Sequence, residues 1–241
     1  MASDRRRGAQ LVLARTAGHG GKRRGAGRRP GPRPRVPHRK RPPHARANPV
    51  HVTLRAKRGL PSFRCESVRE LFRRVLAEVK RDEFQIAHYS VQQDHVHLIA
   101  EAASKDALSS AMRSLTTRFA KRVAKLLGRR KGKVWDHRYH RHDLRTPGEV
   151  RNALLYVLQN AKKHGEAPRE GRFLDPHSSA AWFDGWQDLG PRDPGEDGSW
   201  RPPRPRTWLL ERGWRRRGLL RTTDAPKAAR RNRRGPGAAI A

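Results

Sequence analysis

The first residues that could do chemistry are two histidines separated by one valine, His95 and His97 in "QQDHVHLIAE". If this segment is a strand, both imidazoles point to the same face and can present two nitrogens to one divalent ion. The chain contains 12 histidines, and the same spacing recurs at His140 and His142, so chance alone can produce it. Two ligands are too few for a metal site, and a third has to come from another element.

Further along, "NALLYVLQNAKK" offers a phenol and an amide. Its apolar residues recur at helical spacing and form the stripe Val150, Ala153, Leu154, Val157 and Ala161. Tyr156 and Asn160 are four residues apart and therefore share one face of the predicted helix. Taken singly, Tyr156 is better explained as a packing aromatic and Asn160 as a surface residue. Packed on the sheet, the helix would bring both to the histidine pair.

The elements that would position these residues lie between residues 50 and 165. "PVHVTLRA" alternates apolar and polar residues, which is typical of a strand. A helix follows, for which Ser67 and Glu70 have capping-box spacing. "FQIAHYSV" and "HVHLIAE" are two β-rich runs around a polar turn and predict a hairpin. The next helix is expected to end before Gly128.

The last part of this region supplies a strand and a helix. "KVWDHRYHRHDL" predicts a fourth strand or an ordered crossing loop. Thr146, Pro147 and Glu149 suit the N-cap, N1 and N3 positions of a helix that continues to Gly165. The resulting order, β-α-β-β-α-β with an appended C-terminal helix, predicts an α+β protein with a ferredoxin-like sheet.

Composition divides the 241 residues into three regions: 1–49, 50–165 and 166–241. The first holds 15 Lys or Arg and one acid, Asp4, and is predicted to be a disordered basic arm. The last is predicted to be a largely disordered basic tail, in which "AAWFDGW" and "TWLLERGW" could pack as short patches. The formal net charge of +34 indicates a polyanionic partner, unless the arginine excess reflects coding bias.

Other function classes are disfavoured by what the chain contains. The single cysteine, Cys65, excludes an internal disulfide and a cysteine-based zinc module. The chain has no apolar run near the roughly 18 residues of a membrane span. A basic N-terminus without an apolar signal segment completes the expectation of a cytoplasmic, reduced protein without membrane contact.

The motifs between residues 50 and 165 resemble those of the single-tyrosine transposases of the HUH nuclease superfamily, the insertion-sequence-200-like group. His95-Val96-His97 matches the His-hydrophobic-His motif, and Tyr156 with Asn160 matches the tyrosine helix. The segment "GKVWDHRYH" is similar to the one before that helix in the branch associated with repetitive extragenic palindromes. The main group carries Gln where Asn160 stands, so the resemblance is to this branch; Gln159 is the less favoured substitute ligand.

The resemblance implies a reaction and its cofactor. A divalent metal, Mg²⁺ or Mn²⁺, held by His95, His97 and Asn160 would activate a scissile phosphate. Tyr156 would attack the phosphorus and leave a 5′-phosphotyrosine link and a free 3′-hydroxyl. The implied partner is single-stranded or hairpin DNA, and the protein would be a monomer or a homodimer. Tyr139, close to three histidines, is a second candidate nucleophile.

Five basic residues are predicted to contact DNA phosphates because the sequence places them beside this site: Arg138, Arg141, Arg145, Lys162 and Lys163. Two other functions compete with the nuclease. One is a non-catalytic ferredoxin-like protein that binds RNA or ribosomes, although the hairpin strand lacks stacking aromatic rings. The other is a zinc-binding protein using His137, His140 and His142, which has no recognisable ligand spacing.

Overall fold

The structure, a computed structural model, describes residues 41–129, 132–168, 170–190 and 200–226. Most of the predicted basic arm, residues 1–40, lies outside the described residues. Residues 41–49 are described. The side chain of His44 is buried, and its Nε2 lies 2.9 Å from the carbonyl oxygen of Ala102. Arg41 stacks over the ring of Tyr139, 3.4 Å from its centroid. The folded region therefore begins at least nine residues earlier than the composition predicts.

Four antiparallel strands form one sheet in the order β2-β3-β1-β4. The strands are β1 (Val50–Arg55), β2 (Phe84–Val91), β3 (His95–Ala102) and β4 (His140–Asp143). The longer helices are α1 (Glu66–Val79), α2 (Lys105–Leu126) and α3 (Pro147–Leu158). The chain order is β1-α1-β2-β3-α2-β4-α3, and the predicted ferredoxin-like α+β fold with an appended helix is confirmed.

One face of the sheet carries α1 and α2. Val50, Val52 and Leu54 of β1 alternate towards this face and pack with Phe72 and Phe119 from the two helices. Gly128, with φ of 64°, follows α2 as the sequence predicts, since few other residues adopt this backbone conformation. The capping box predicted for α1 is wrong. The helix begins at Glu66 with Cys65 as N-cap, and its first-turn carboxylate pairs with Arg69, so Ser67 lies inside the helix.

The opposite face carries α3 and the C-terminal segment, which we define as the described residues after 165. The cluster on this face includes Ile99, Val150, Leu154 and Val157 from the sheet and α3. From the C-terminal segment it receives seven buried residues: Ala180, Phe183, Trp186, Leu209, Leu210, Trp214 and Leu220. The expectation that "AAWFDGW" and "TWLLERGW" could pack as short patches agrees with this cluster. The prediction of a largely disordered tail is wrong for residues 170–190 and 200–226. Burial of these aromatic and aliphatic side chains stabilises an otherwise polar segment on the sheet.

Buried charges fix the C-terminal segment in place. The carboxylate of Glu101, on β3, accepts hydrogen bonds from the Thr207 backbone and hydroxyl, both at 2.7 Å, and from Gln85 at 2.6 Å. Thr207 is the N-cap of α5 (Trp208–Glu211). At the other end Arg64 makes two bonds, at 2.9 and 3.0 Å, to the buried carboxylate of Asp175. Bonds to a charged group are stronger than neutral ones, so these pairs hold the segment on the sheet.

Candidate active site

The histidine pair lies on the sheet face that α3 covers. His97 pairs directly with Thr53 of β1, and Thr53 Oγ1 lies 3.1 Å from His97 Nδ1. His51 Nε2 lies 3.2 Å from the same nitrogen. These contacts orient the ring, because they occupy Nδ1 and leave Nε2 as the nitrogen available to a ligand.

His95 is oriented by a carboxylate. Its Nδ1 donates a hydrogen bond of 2.7 Å to Asp94 Oδ1, so Nε2 carries the free lone pair. That bond lowers the pKa of Asp94, which keeps the carboxylate ionised. The rings of His95 and His97 are 4.8 Å apart, as expected for alternate residues on one face. Both histidines therefore have the second partner that metal-binding histidines commonly show.

The surroundings of His97 and His51 keep these two imidazoles neutral. Burial, followed by the neighbouring His51 and His95, lowers the pKa of His97 to about 2. Burial lowers the pKa of His51 to about 4, with smaller contributions from His142 and His140. A neutral imidazole is the form that binds metal. His97 can thus offer a nitrogen ligand at neutral pH without first losing a proton.

Helix α3 brings Tyr156 to the histidines. Its ring meets His97 edge-on, with centroids 5.0 Å apart, and His51 at 5.8 Å. The helix starts as predicted: Thr146 Oγ1 accepts from the Glu149 backbone at 3.2 Å, and Glu149 closes the capping box. Lys163 donates a 3.0 Å hydrogen bond to Tyr156 Oη and lies 4.4 Å from the ring centroid.

The helix is not continuous to Gly165. It stops at Leu158, Gln159 has φ of −113°, and a separate turn α4 (Asn160–Lys163) follows. Tyr156 and Asn160 consequently belong to two helical segments rather than to one regular face. The break coincides with two bonds from Gln159 Nε2, to Phe173 O at 3.3 Å and Thr222 O at 3.0 Å. The C-terminal segment thus engages the amide nitrogen of Gln159, whereas its Oε1 is buried without a hydrogen-bond partner among the described residues.

Asn160 is fully buried. Within the described part of the chain, its Oδ1 and Nδ2, like His97 Nε2, are buried without a hydrogen-bond partner. Leaving a buried polar group unpaired costs about 1–3 kcal/mol. Across the described ranges no group of three or more His, Cys, Asp or Glu side chains is arranged to hold a metal. A third ligand to the histidine pair would have to be of another type, and an amide oxygen fits that requirement.

The predicted phosphate contacts divide into two groups. Arg138 and Arg145 are exposed, and Lys163 is half-buried beside Tyr156. Lys162 is 1% exposed, and its ammonium bonds to Thr222 O at 2.6 Å and Gly171 O at 3.1 Å. Arg141 is held by both oxygens of Asp143, at 2.6 and 2.5 Å. The prediction is wrong for Lys162 and Arg141, because their charges are already used inside the protein.

The alternative nucleophile lies elsewhere. Tyr139 packs against the cluster beneath α1 and α2, on the opposite side of the sheet from the histidine pair. Tyr89 is buried in the same cluster and accepts a 3.1 Å bond from Arg73. Of the three tyrosines, Tyr156 is the one that contacts the histidines.

Sequence reasoning missed His51, Thr53 and His164. The first two face His97 across the β1–β3 pairing, a register that the strand pattern alone does not fix. The ring of His164 lies 4.9 Å from that of His95, and its backbone N–H donates to Asn160 O at 3.2 Å. His164 follows Tyr156 by eight residues, a little over two helical turns. In a continuous helix this spacing places both residues on a similar side, and it could have been used to predict that His164 lies near the site.

Residues 47–159 match the family model "Transposase IS200 like", which covers the strands, the histidine pair and Tyr156. The resemblance drawn from the motifs is confirmed for this segment. No curated protein matches the chain. Among solved structures, one of a REP-associated tyrosine transposase bound to a REP hairpin is similar at 22% identity and a TM-score of 0.45, over 55% of this chain and 76% of that one. In the described ranges, no helix is both long and apolar enough to cross a bilayer.

Proposed function

Because residues 47–159 match the IS200-like transposase family, we propose that this protein is a metal-dependent single-stranded DNA endonuclease and strand transferase with Tyr156 as nucleophile. The observation that carries the proposal is the contact between the Tyr156 phenol and His97, whose outer nitrogen is buried without a partner. A transposase family implies an enzyme that cuts DNA. Asn160, in the position of the main group's Gln, favours the branch associated with repetitive extragenic palindromes.

The metal in this proposal is Mn²⁺ or Mg²⁺, held by His95, His97 and Asn160. When bound, it would supply Lewis-acid activation of the scissile phosphate. Thr53 and His51 hold His97, and Asp94 holds His95, so that both Nε2 atoms are turned away from their protein partners. The buried, unpartnered Asn160 amide supports its assignment as third ligand.

The protein's own groups would carry the bond changes. Tyr156 Oη gives up its proton and forms a bond to phosphorus, and the bond from phosphorus to the 3′-oxygen breaks. The 3′-oxygen takes up one proton and leaves as a 3′-hydroxyl, so the proton lost by the phenol balances the proton gained. The ammonium of Lys163, 3.0 Å from Oη, fixes the phenol and opposes the negative charge that develops there. Attack by a second 3′-hydroxyl reverses the step and joins strands without ATP. Exposed Arg138 and Arg145 remain our proposed phosphate contacts.

The experiment is a covalent-capture assay with a pool of hairpin oligonucleotides that carry randomised single-stranded flanks, in Mn²⁺. Label on the 3′ side of the cleavage point should transfer to the protein on a denaturing gel, and label on the 5′ side should not. Tyr156→Phe, His97→Ala and chelator should each abolish the adduct. Tyr139→Phe is the matched control and should retain it.

Three outcomes would contradict the proposal. An adduct that persists in Tyr156→Phe assigns the nucleophile elsewhere, and transfer of the 5′-side label reverses the polarity of the link. Retained DNA binding with no adduct from any hairpin would favour the non-catalytic binding protein.

Mn²⁺ affinity, measured by electron paramagnetic resonance without DNA, should fall at least tenfold in His97→Ala, since removing one of few ligands weakens a site strongly.

A further inference from the structure

An exposed tryptophan stands out in the C-terminal segment. Trp208 is 48% exposed, the largest exposure of a large hydrophobic residue in the described part of the chain. Trp186 and Trp214, from the same segment, are buried in the core. An indole left in water forgoes the favourable transfer that those two residues obtain. Its exposure therefore leaves the indole accessible to a partner from outside.

The ring of Trp208 is held in place. Its helix starts at Thr207, which Glu101 anchors through bonds of 2.7 Å to both backbone and hydroxyl. The indole also packs over Gly213, where an added Cβ would lie 2.6 Å from the ring. A side chain at position 213 would push the ring away. Trp208 is thus a fixed surface that loses little conformational freedom when a flat group stacks on it.

The surroundings of the ring are strongly basic. The guanidinium carbon of Arg216 lies 4.9 Å from the Trp208 ring centroid, and Arg212 and Arg217 are exposed nearby in the chain. Residues 200–226 contain eight arginines and two acids. An aromatic ring in a positive surface is the combination with which proteins hold single-stranded nucleic acid: the charges follow the phosphates and the ring stacks on a base.

This surface lies alongside the helix of the nucleophile. Arg151 of α3 donates to Gly218 O at 2.9 Å and to Leu219 O at 3.1 Å, just after the 3₁₀ helix Gly213–Arg217. Arg151 precedes Tyr156 by five residues, about 7.5 Å along a helix axis. A strand engaged at Tyr156 that follows α3 towards Arg151 therefore runs towards this part of the C-terminal segment.

We propose that Trp208 and Arg216 form a second DNA-binding surface, which stacks on unpaired bases of the strand beside the cleavage site. The identity of the polymer as DNA rests on the proposed function. The preference for unpaired bases follows from the ring itself, because bases within a duplex already stack on one another and present only their edges.

The test measures binding without cleavage. Full-length protein carrying Tyr156→Phe is titrated with labelled 20-nucleotide single strands and with duplexes of the same sequence, at several salt concentrations. Trp208→Ala should weaken single-strand binding about tenfold, leave duplex binding unchanged and keep the salt dependence. Arg216→Ala should weaken binding and reduce the salt slope by about one, as expected for a phosphate contact.

Matched controls come from the other side of the sheet. Leu126, 47% exposed at the end of α2, matches Trp208 in exposed apolar character, and Arg113 of α2 is an exposed arginine. Leu126→Ala and Arg113→Ala should change neither affinity nor salt slope. Trp208→Phe keeps an aromatic ring and should therefore retain most of the single-strand affinity. This variant distinguishes loss of stacking in Trp208→Ala from unfolding of the protein.

A direct readout uses strands that carry 5-iododeoxyuridine, irradiated in complex with the protein. The crosslinked peptide should contain Trp208. Single-strand affinity of Trp208→Ala within twofold of the parent, equal losses for duplex and single strand, or crosslinks that never include Trp208 would each overturn the proposal. Because the readout is binding affinity rather than cleavage, these results do not depend on whether Tyr156 is the nucleophile.

Discussion

The face of the sheet beneath α1 and α2 is closed by aliphatic and aromatic side chains, whereas the face beneath α3 also buries His88, His97 and Glu101. The core on the first face consists of alternate strand residues packed against the apolar sides of α1 and α2. The second has polar groups that need partners, and the C-terminal segment supplies several of them. The proposed site therefore lies on the face that buries polar groups, and the stability of that face depends on residues far along the chain.

The largest expected effect concerns the contribution of the C-terminal segment to stability. If the segment is part of the core, its buried residues contribute as much as those on the other face of the sheet. Trp214 is 1% exposed and packs with Phe183, and its counterpart on the other face is the fully buried Phe119. We expect Trp214→Ala and Phe119→Ala each to lower the free energy of unfolding by about 3–5 kcal/mol. Denaturant titrations measure this free energy of unfolding. If Trp214→Ala lowered the free energy of unfolding by less than about 1 kcal/mol, the C-terminal segment would not be an integral part of the core.

A second prediction concerns the pH dependence of the polar face. Burial lowers the pKa of His88 to about 4, below its usual 6.5, so the unfolded chain binds more protons and stability falls as the pH falls from 6.5 towards 4. Between pH 7 and 5 His88 should account for a loss of about 2 kcal/mol. Denaturation across this range should show a shallower pH dependence in His88→Gln.

The control for this prediction is His137→Gln, because His137 is exposed. Its pH profile should follow that of the unaltered protein. Parallel profiles for all three proteins would mean that His88 is not buried in its neutral form.

The smallest expected effect compares two helix caps. Thr146 caps α3 on the polar face, and Ser104 caps α2 on the apolar face by accepting from the Ala107 backbone at 3.0 Å. Alanine at either position should cost about 1 kcal/mol of stability. Only Thr146→Ala should also slow adduct formation, because α3 carries Tyr156. Equal slowing by Ser104→Ala would show that the assay reports stability rather than the position of the tyrosine.

Local sequence patterns predicted most of the sheet and helices correctly. Strand alternation, helix stripes, the Thr146 capping box and Gly128 are short-range features, and the structure confirms them. The Ser67 capping box failed because Cys65, two residues earlier, takes the N-cap position. A spacing rule identifies which residues could cap a helix, and the contacts around its first turn decide which one does.

The sequence by itself determined the ferredoxin-like order of elements, the shared face of His95 and His97, and the helix that carries Tyr156, because period and spacing act over a few residues. Tertiary structure decided the rest. Strand pairing placed Thr53 and His51 on His97, and contacts from Thr222 fixed Gln159 and withdrew Lys162 from the surface. These partners are 44 to 63 residues apart in the chain, and separations of that kind leave no trace in local periodicity.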